Sequence, residues 1–161
     1  MTQTQIHTQN PLLSRYDQDP GRWRPYKYGC LIDVPVAADQ SGENTIQIMN
    51  QPFIMDRIVH SIIGKTWDPN ATGLAPDGQY FIEWHEEQSE YQNQPLLARA
   101  AYGTQEFPLL LSAPIAFAGN KTLTFRVTNT YARALTPSAD TYKVQILCHG
   151  IADWGSGRSP S

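Results

Sequence analysis

Along KTLTFRVTN the apolar positions Leu123, Phe125 and Val127 alternate with Thr122, Thr124, Arg126 and Thr128. A period of two gives a strand one dry face and one wet face. TYKVQILCHG repeats the pattern, with Tyr142, Val144, Ile146 and Cys148 on one side and Lys143, Gln145 and His149 on the other. YGCLIDVPV, TIQIMN, PFIMDRIVHSIIG and GQYFIEWHEE are β-branched or aromatic runs punctuated by Gly, Pro, Asn or Asp, and they predict four more strands. FPLLLSAPIAF adds one or two short ones, which Pro108 and Pro114 confine to sheet edges or strand starts.

One segment, QPLLARAAYG, has a helical alternative, because Leu96, Leu97, Ala98, Ala100 and Ala101 are good helix formers. It extends only about two turns before Gly103, and nowhere else does a 3.6-residue period persist. The pattern predicts an all-β protein of about eight strands, a β-sandwich of jelly-roll type. In a jelly roll the first and last long strands are neighbours. Cys30 shares parity with Ile32 and Val34, and Cys148 with Val144 and Ile146, so both thiols are expected to face the core as small apolar groups.

The chain divides into an extended N-terminal arm over 1–27, a sandwich over 28–151 and a tail of turn formers over 152–161. At 161 residues this is one domain with extensions, large enough to bury a core without a disulfide or metal staple. Charged residues make up 17% of the chain, and Gln, Asn, Thr and Ser stand in their place; such a surface suits contact with other protein. Net charge is −3, which argues against a general nucleic-acid binder. It is unevenly spread: the first 27 residues carry +2 and the rest −5. A basic arm on an acidic body can bind an acidic neighbour, another copy of the chain included. The opening MTQTQIHTQN is polar and no apolar run reaches bilayer-spanning length, so neither a secretory leader nor a membrane partner is expected.

Chemistry is sparse. His85-Glu86 is followed by Gln88 and Ser89, which fails the zinc-protease pattern, and no His-x-His or His-x-Asp pair occurs. Cys148 and His149 are strand neighbours and point to opposite faces, so they cannot form a nucleophile–base pair. Glu83, Glu86, Glu87 and Glu90 read as a solvated strand end rather than as a glycosidase pair. No enzymatic activity, cofactor or metal is expected.

Binding residues are easier to find. RYDQDPGRWRPYKYG, from Arg15 to Gly29, packs basic and aromatic side chains into a run broken by Pro20, Gly21 and Pro25. Arg, Tyr and Trp are the usual anchors of protein interfaces, and proline lowers the entropy lost on ordering an extended segment. Arg15, Tyr16, Arg22, Trp23, Arg24 and Tyr26 are the candidate partner-binding residues. The alternative is that Trp23 and Tyr26 fold back and close one end of their own sandwich.

YGCLIDVPV, QPFIMDRIVHSIIG, DGQYFIEWHEEQSEYQNQP, PIAFAGNKTLTFRVTN and the closing VQILCHGIADWG together resemble the small jelly-roll virion proteins of tailed bacteriophages, the capsid cement or decoration proteins and related accessory proteins. The resemblance spans about residues 28–155 as a pattern of strands and joints. It implies a non-enzymatic protein made in the host cytoplasm and carried in the virion. Its partners would be the major capsid protein or other virion proteins, with self-association into an oligomer. A head–tail or tail accessory role on the same fold is one alternative. A carbohydrate-binding sandwich with Trp67, Trp84 and Trp154 at a glycan site is another, although Trp84 shares parity with Tyr80 and Ile82, which favours the core.

Overall fold

The computed structural model describes residues 20–35, 39–63, 80–87, 89–90, 94–103, 108–130 and 141–155. A 3-10 turn, Pro20–Arg22, leads into β1 (Trp23–Pro35), followed by β2 (Ser41–Gln47), β3 (Phe53–Ile63), β4 (Tyr80–Glu86), β5 (Ser89–Glu90) and β6 (Leu96–Leu97). After a single helical turn, α1 (Ala98–Ala101), come β7 (Leu110–Phe117), β8 (Thr122–Asn129) and β9 (Thr141–Asp153). One sheet has the order β1-β9-β3-β7 and the other β2-β8-β4-β5, with β6 also on β4. All the pairings are antiparallel. Since β5 and β6 lie along one side of β4, they act as one interrupted edge strand. The protein is an all-β sandwich, and the alternation of strands between the sheets, with first and last adjacent, is the order of a jelly roll.

Parity does the packing. Ile32 and Val34 on β1, Val144, Ile146 and Cys148 on β9, and Ile82, Leu123, Phe125 and Val127 from the facing sheet are all fully buried in one core. Trp84 stacks on Phe125 with ring centroids 5.8 Å apart and meets the edge of Phe117 at 6.3 Å. Cys30 lies opposite Ile146 and Cys148 opposite Tyr28, so both thiols face the core from neighbouring strands, as free cysteines. Burial pushes the Cys30 thiol up to about 11 and raises that of Cys148 further. The segment with a helical alternative does both things: Leu96 and Leu97 pair with β4, and a single helical turn follows.

A β-bulge sets the faces of β3. Met55 lies opposite Gly150 and Arg57 opposite His149, so Asp56 is an extra residue. That insertion reverses the strand's parity. Phe53 and Met55 point inward before it, and Ile58 and His60 inward after it. The two backbones approach closely here: a Cβ at Gly150 would fall 2.0 Å from the Ile54 carbonyl oxygen, so only glycine fits.

Both expected boundaries move outward. β1 begins at Trp23, inside the stretch assigned to the arm, and pairs without interruption to Pro35. β9 continues to Asp153, and Trp154 packs against the core. The sandwich therefore includes residues 23–27 and 152–154. Pro25 is tolerated within β1 because the strand lies at the sheet edge, where a missing N–H breaks no ladder bond.

Phe125→Ala should lower unfolding free energy by about 3–5 kcal/mol, read from urea denaturation, since it empties the centre of the core; a change below about 1 kcal/mol would contradict this packing. The raised Cys30 pKa gives a pH test. The folded state holds this proton more tightly than the unfolded chain, so its contribution is intact below the ordinary thiol pKa. It is lost as pH rises from about 9 to about 11. Stability should fall over that window, and less steeply in Cys30→Val.

Candidate functional site

The sequence-predicted binding stretch begins β1, and its partner is the end of β9. Trp23 pairs with Asp153 and Arg24 with Ala152. Proline is well suited to the first turn of a helix, and the Pro20–Arg22 turn aims the Arg22 side chain at β9. Arg22 Nε donates to Asp153 Oδ1 at 2.7 Å. The Gly155 N–H donates to the same oxygen at 2.9 Å, with Gly155 at φ 69° closing the turn. The Trp154 N–H donates to the Arg22 carbonyl at 3.0 Å, and the Asp153 N–H to the Pro52 carbonyl at 2.9 Å. Asp153 is nearly buried, with 5% of its surface exposed. A carboxylate so placed needs these donors, and losing the arginine would leave a desolvated charge.

Two aromatic groups flank this knot on opposite faces of the sheet. Trp23 falls on the outer face and is 6% exposed. It packs with Ile54, Ile151 and Ala116 in a small cluster separate from the main core. Ile151 and Ile54 are cross-strand partners, and Ala116 lies opposite Ile54 on β7. Trp23 thus caps an apolar row running across the whole sheet. On the inner face Tyr26 lies 4.8 Å from Tyr28 and 5.8 Å from Trp154, centroid to centroid. Tyr28 meets Phe53 edge-on at 5.0 Å, and its hydroxyl accepts the Met49 N–H at 3.2 Å. Burial raises the Tyr28 pKa above its ordinary value.

Of the six predicted residues, the structure brings Arg22, Trp23 and Tyr26 to one corner and leaves Arg24 exposed on the edge strand. Arg15 and Tyr16 lie outside the described residues. From Trp23 onward the segment folds back on its own body, the alternative weighed from the sequence. Asp153, Ile54 and Ile151 are the corner residues that sequence reasoning missed. The signal for Asp153 and Ile151 was the period of β9, which continues past His149 into what looks like a tail.

The remaining polar candidates form pairs. Glu43, Arg126 and Glu83 stand in register across β2, β8 and β4. Arg126 donates to Glu83 at 2.7 Å and to Glu43 at 3.0 and 3.1 Å. Glu86 departs from the expected solvated edge: it shares parity with Trp84, is 9% exposed and pairs with Lys121 at 2.8 Å. His60 Nδ1 and the Tyr80 hydroxyl are 2.7 Å apart inside the core. Trp84 is a core residue, Trp154 is half-buried against Tyr26, and Trp67 lies outside the described residues. Among the described residues no group of three or more His, Cys, Asp or Glu could hold a metal ion. No helix there is long and apolar enough to cross a membrane. Comparison with protein-family models, curated proteins and solved structures finds no match.

Trp23→Ala should cost about 2–4 kcal/mol of stability by urea denaturation, because it strips the outer apolar row of its cover. A chain starting at Pro20 should unfold at the same urea concentration as the full chain. One starting at Tyr28 should be strongly destabilised; equal stability of all three would show that residues 23–27 add nothing to the sandwich.

Proposed function

We propose that the protein is a non-enzymatic structural component of a virion, a cement or decoration protein that stabilises a bacteriophage head by bridging shell subunits. The resemblance of its strand pattern to such proteins motivates this reading. The observation that carries it is the corner at Arg22 and Asp153. There, the segments preceding Pro20 and following Gly155 are rooted side by side on edge strand β1 and its neighbour.

A protein that reinforces a shell works without chemistry. It needs a rigid block, anchored extensions and several modest contacts that multiply on a lattice. The sandwich supplies the block. The N-terminal segment, with Arg15 and Tyr16, precedes an edge strand, where strand addition gives affinity through main-chain hydrogen bonds. Lateral contacts have candidates too. Leu109 and Leu110 on the β7 side are 46% and 68% exposed. On the other sheet Phe81 and Leu97 form an exposed cross-strand pair. Edge strands with exposed apolar residues are templates for association.

The buried corner refines the division of labour. Trp23 and Tyr26 secure the root, and partner binding falls to residues before Pro20. Deleting 1–19 should leave the sandwich folded and abolish co-sedimentation with particles stripped of this protein, while the full chain pellets with them. If the truncated chain pellets equally well, the arm is no tether; if neither pellets, the capsid-surface reading fails.

A further inference from the structure

The outer faces of the two sheets carry charge differently. On the β2-β8-β4 face the central cross-strand row is Glu43–Arg126–Glu83, a cation held between two carboxylates. The corresponding row on the other sheet is Lys27–His149–Arg57, in register across β1, β9 and β3. The bulge at Asp56 is what turns Arg57 to this face. Asp56 is the carboxylate that meets the row, and it engages Arg57 on one edge, at 2.8 Å from Nε and 3.4 Å from Nη2. Lys27 makes no ion pair among the described residues. Among the described residues two cations therefore share one partial counter-charge, on a chain whose net charge is −3.

The row borders a pocket of about 310 Å³ lined by Lys27, Arg57, Val59, Pro108, Leu147 and His149. Its walls arise from local packing. Gly29 has no side chain, so Leu147 leans across its place, where a Cβ would come 2.6 Å from Leu147 Cδ2. Val59 is 1% exposed although it lies on the outer face, in register with Leu147. His149 Nε2 is buried here and has no hydrogen-bond partner among the described residues. An unpaired buried ring nitrogen costs free energy, and this one stands in the row between two cations.

We infer that this pocket binds a small organic phosphate, with Lys27 and Arg57 on the phosphate oxygens, the His149 ring between them in the row, and the organic part against Val59, Leu147 and Pro108. A dianion matches two fixed cations. Charge-assisted bonds to a guanidinium and an ammonium are the strong ones, and Asp56 leaves Arg57 Nη1 for this use. A pocket of this size with apolar walls is larger than a bare phosphate needs. Burial, and the charges of Lys27 and Arg57, lower the His149 pKa, with Asp56 opposing them. A bound anion reverses the sign of the local field and raises it. The inference does not depend on the virion reading.

The test is an NMR titration of the full chain, following the His149 ring with inorganic phosphate, glucose 6-phosphate, glucose and acetate. Inorganic phosphate should shift the His149 resonances and raise the ring's titration midpoint. Glucose 6-phosphate should bind more tightly than phosphate, acetate more weakly, and glucose not at all. Lys27→Ala and Arg57→Ala should each weaken binding by about tenfold. Lys27 is exposed on an edge strand, so that variant keeps the fold and decides the matter if Arg57→Ala does not fold. Unmoved His149 resonances, equal affinity in Lys27→Ala, or acetate binding as tightly as phosphate would each overturn the proposal.

Discussion

Pairing of β1 with β9 is the contact on which the rest of the molecule depends. The two strands run together from Trp23 opposite Asp153 to Pro35 opposite Thr141. The knot at their end joins Arg22 to Asp153 across 131 positions of sequence. Closing so long a loop carries an entropic cost, which grows only slowly with length, and it makes folding wait on non-local contacts. Once closed, the pair places β9 between β1 and β3 and completes the core-facing surface that Cys148, Ile146 and Val144 share with Ile32 and Val34. It also brings Arg22 and Gly155 to one corner of the sandwich.

Each sheet is a two-faced object, and here both outer faces have assignments. One carries the Glu43–Arg126–Glu83 row, a cation between two carboxylates, and the exposed Phe81–Leu97 pair. The other is layered: the Trp23 apolar row, then Lys27–His149–Arg57, then Val59 with Leu147, and finally the ion pair of Lys143 with Asp33. The proposed anion pocket lies on the second face, where Leu110 is in register with Arg57, whereas the Phe81–Leu97 pair lies on the first.

Much of this was legible from period alone. In β8 and β9 the alternation of Leu123, Phe125 and Val127, and of Val144, Ile146 and Cys148, assigns every face correctly. The parity of Trp84 with Tyr80 and Ile82 places it in the core. Two things were not legible. The bulge at Asp56 depends on a backbone approach at Gly150, roughly a hundred positions away in sequence, and nothing local in PFIMDRIVHSIIG announces it. The start of β1 was hidden by Pro25 and Gly21, which read as breaks. An edge strand accepts a proline, and edge position is a property of topology rather than of local sequence. Trp23 was singled out as a partner-binding residue and is buried instead against Ile54, Ile151 and Ala116 of its own sheet, because a lone strand cannot say which surface its aromatic meets.

The most direct measurement is amide hydrogen exchange along residues 20–35 of the full chain. Strand pairing up to Trp23 predicts that the amides of Trp23–Tyr28 directed at β9 exchange as slowly as those near Ile32, because both open only when the sheet does. Exchange at unprotected rates through Tyr28, with protection starting beyond it, would return these residues to the arm and undo the corner at Arg22 and Asp153.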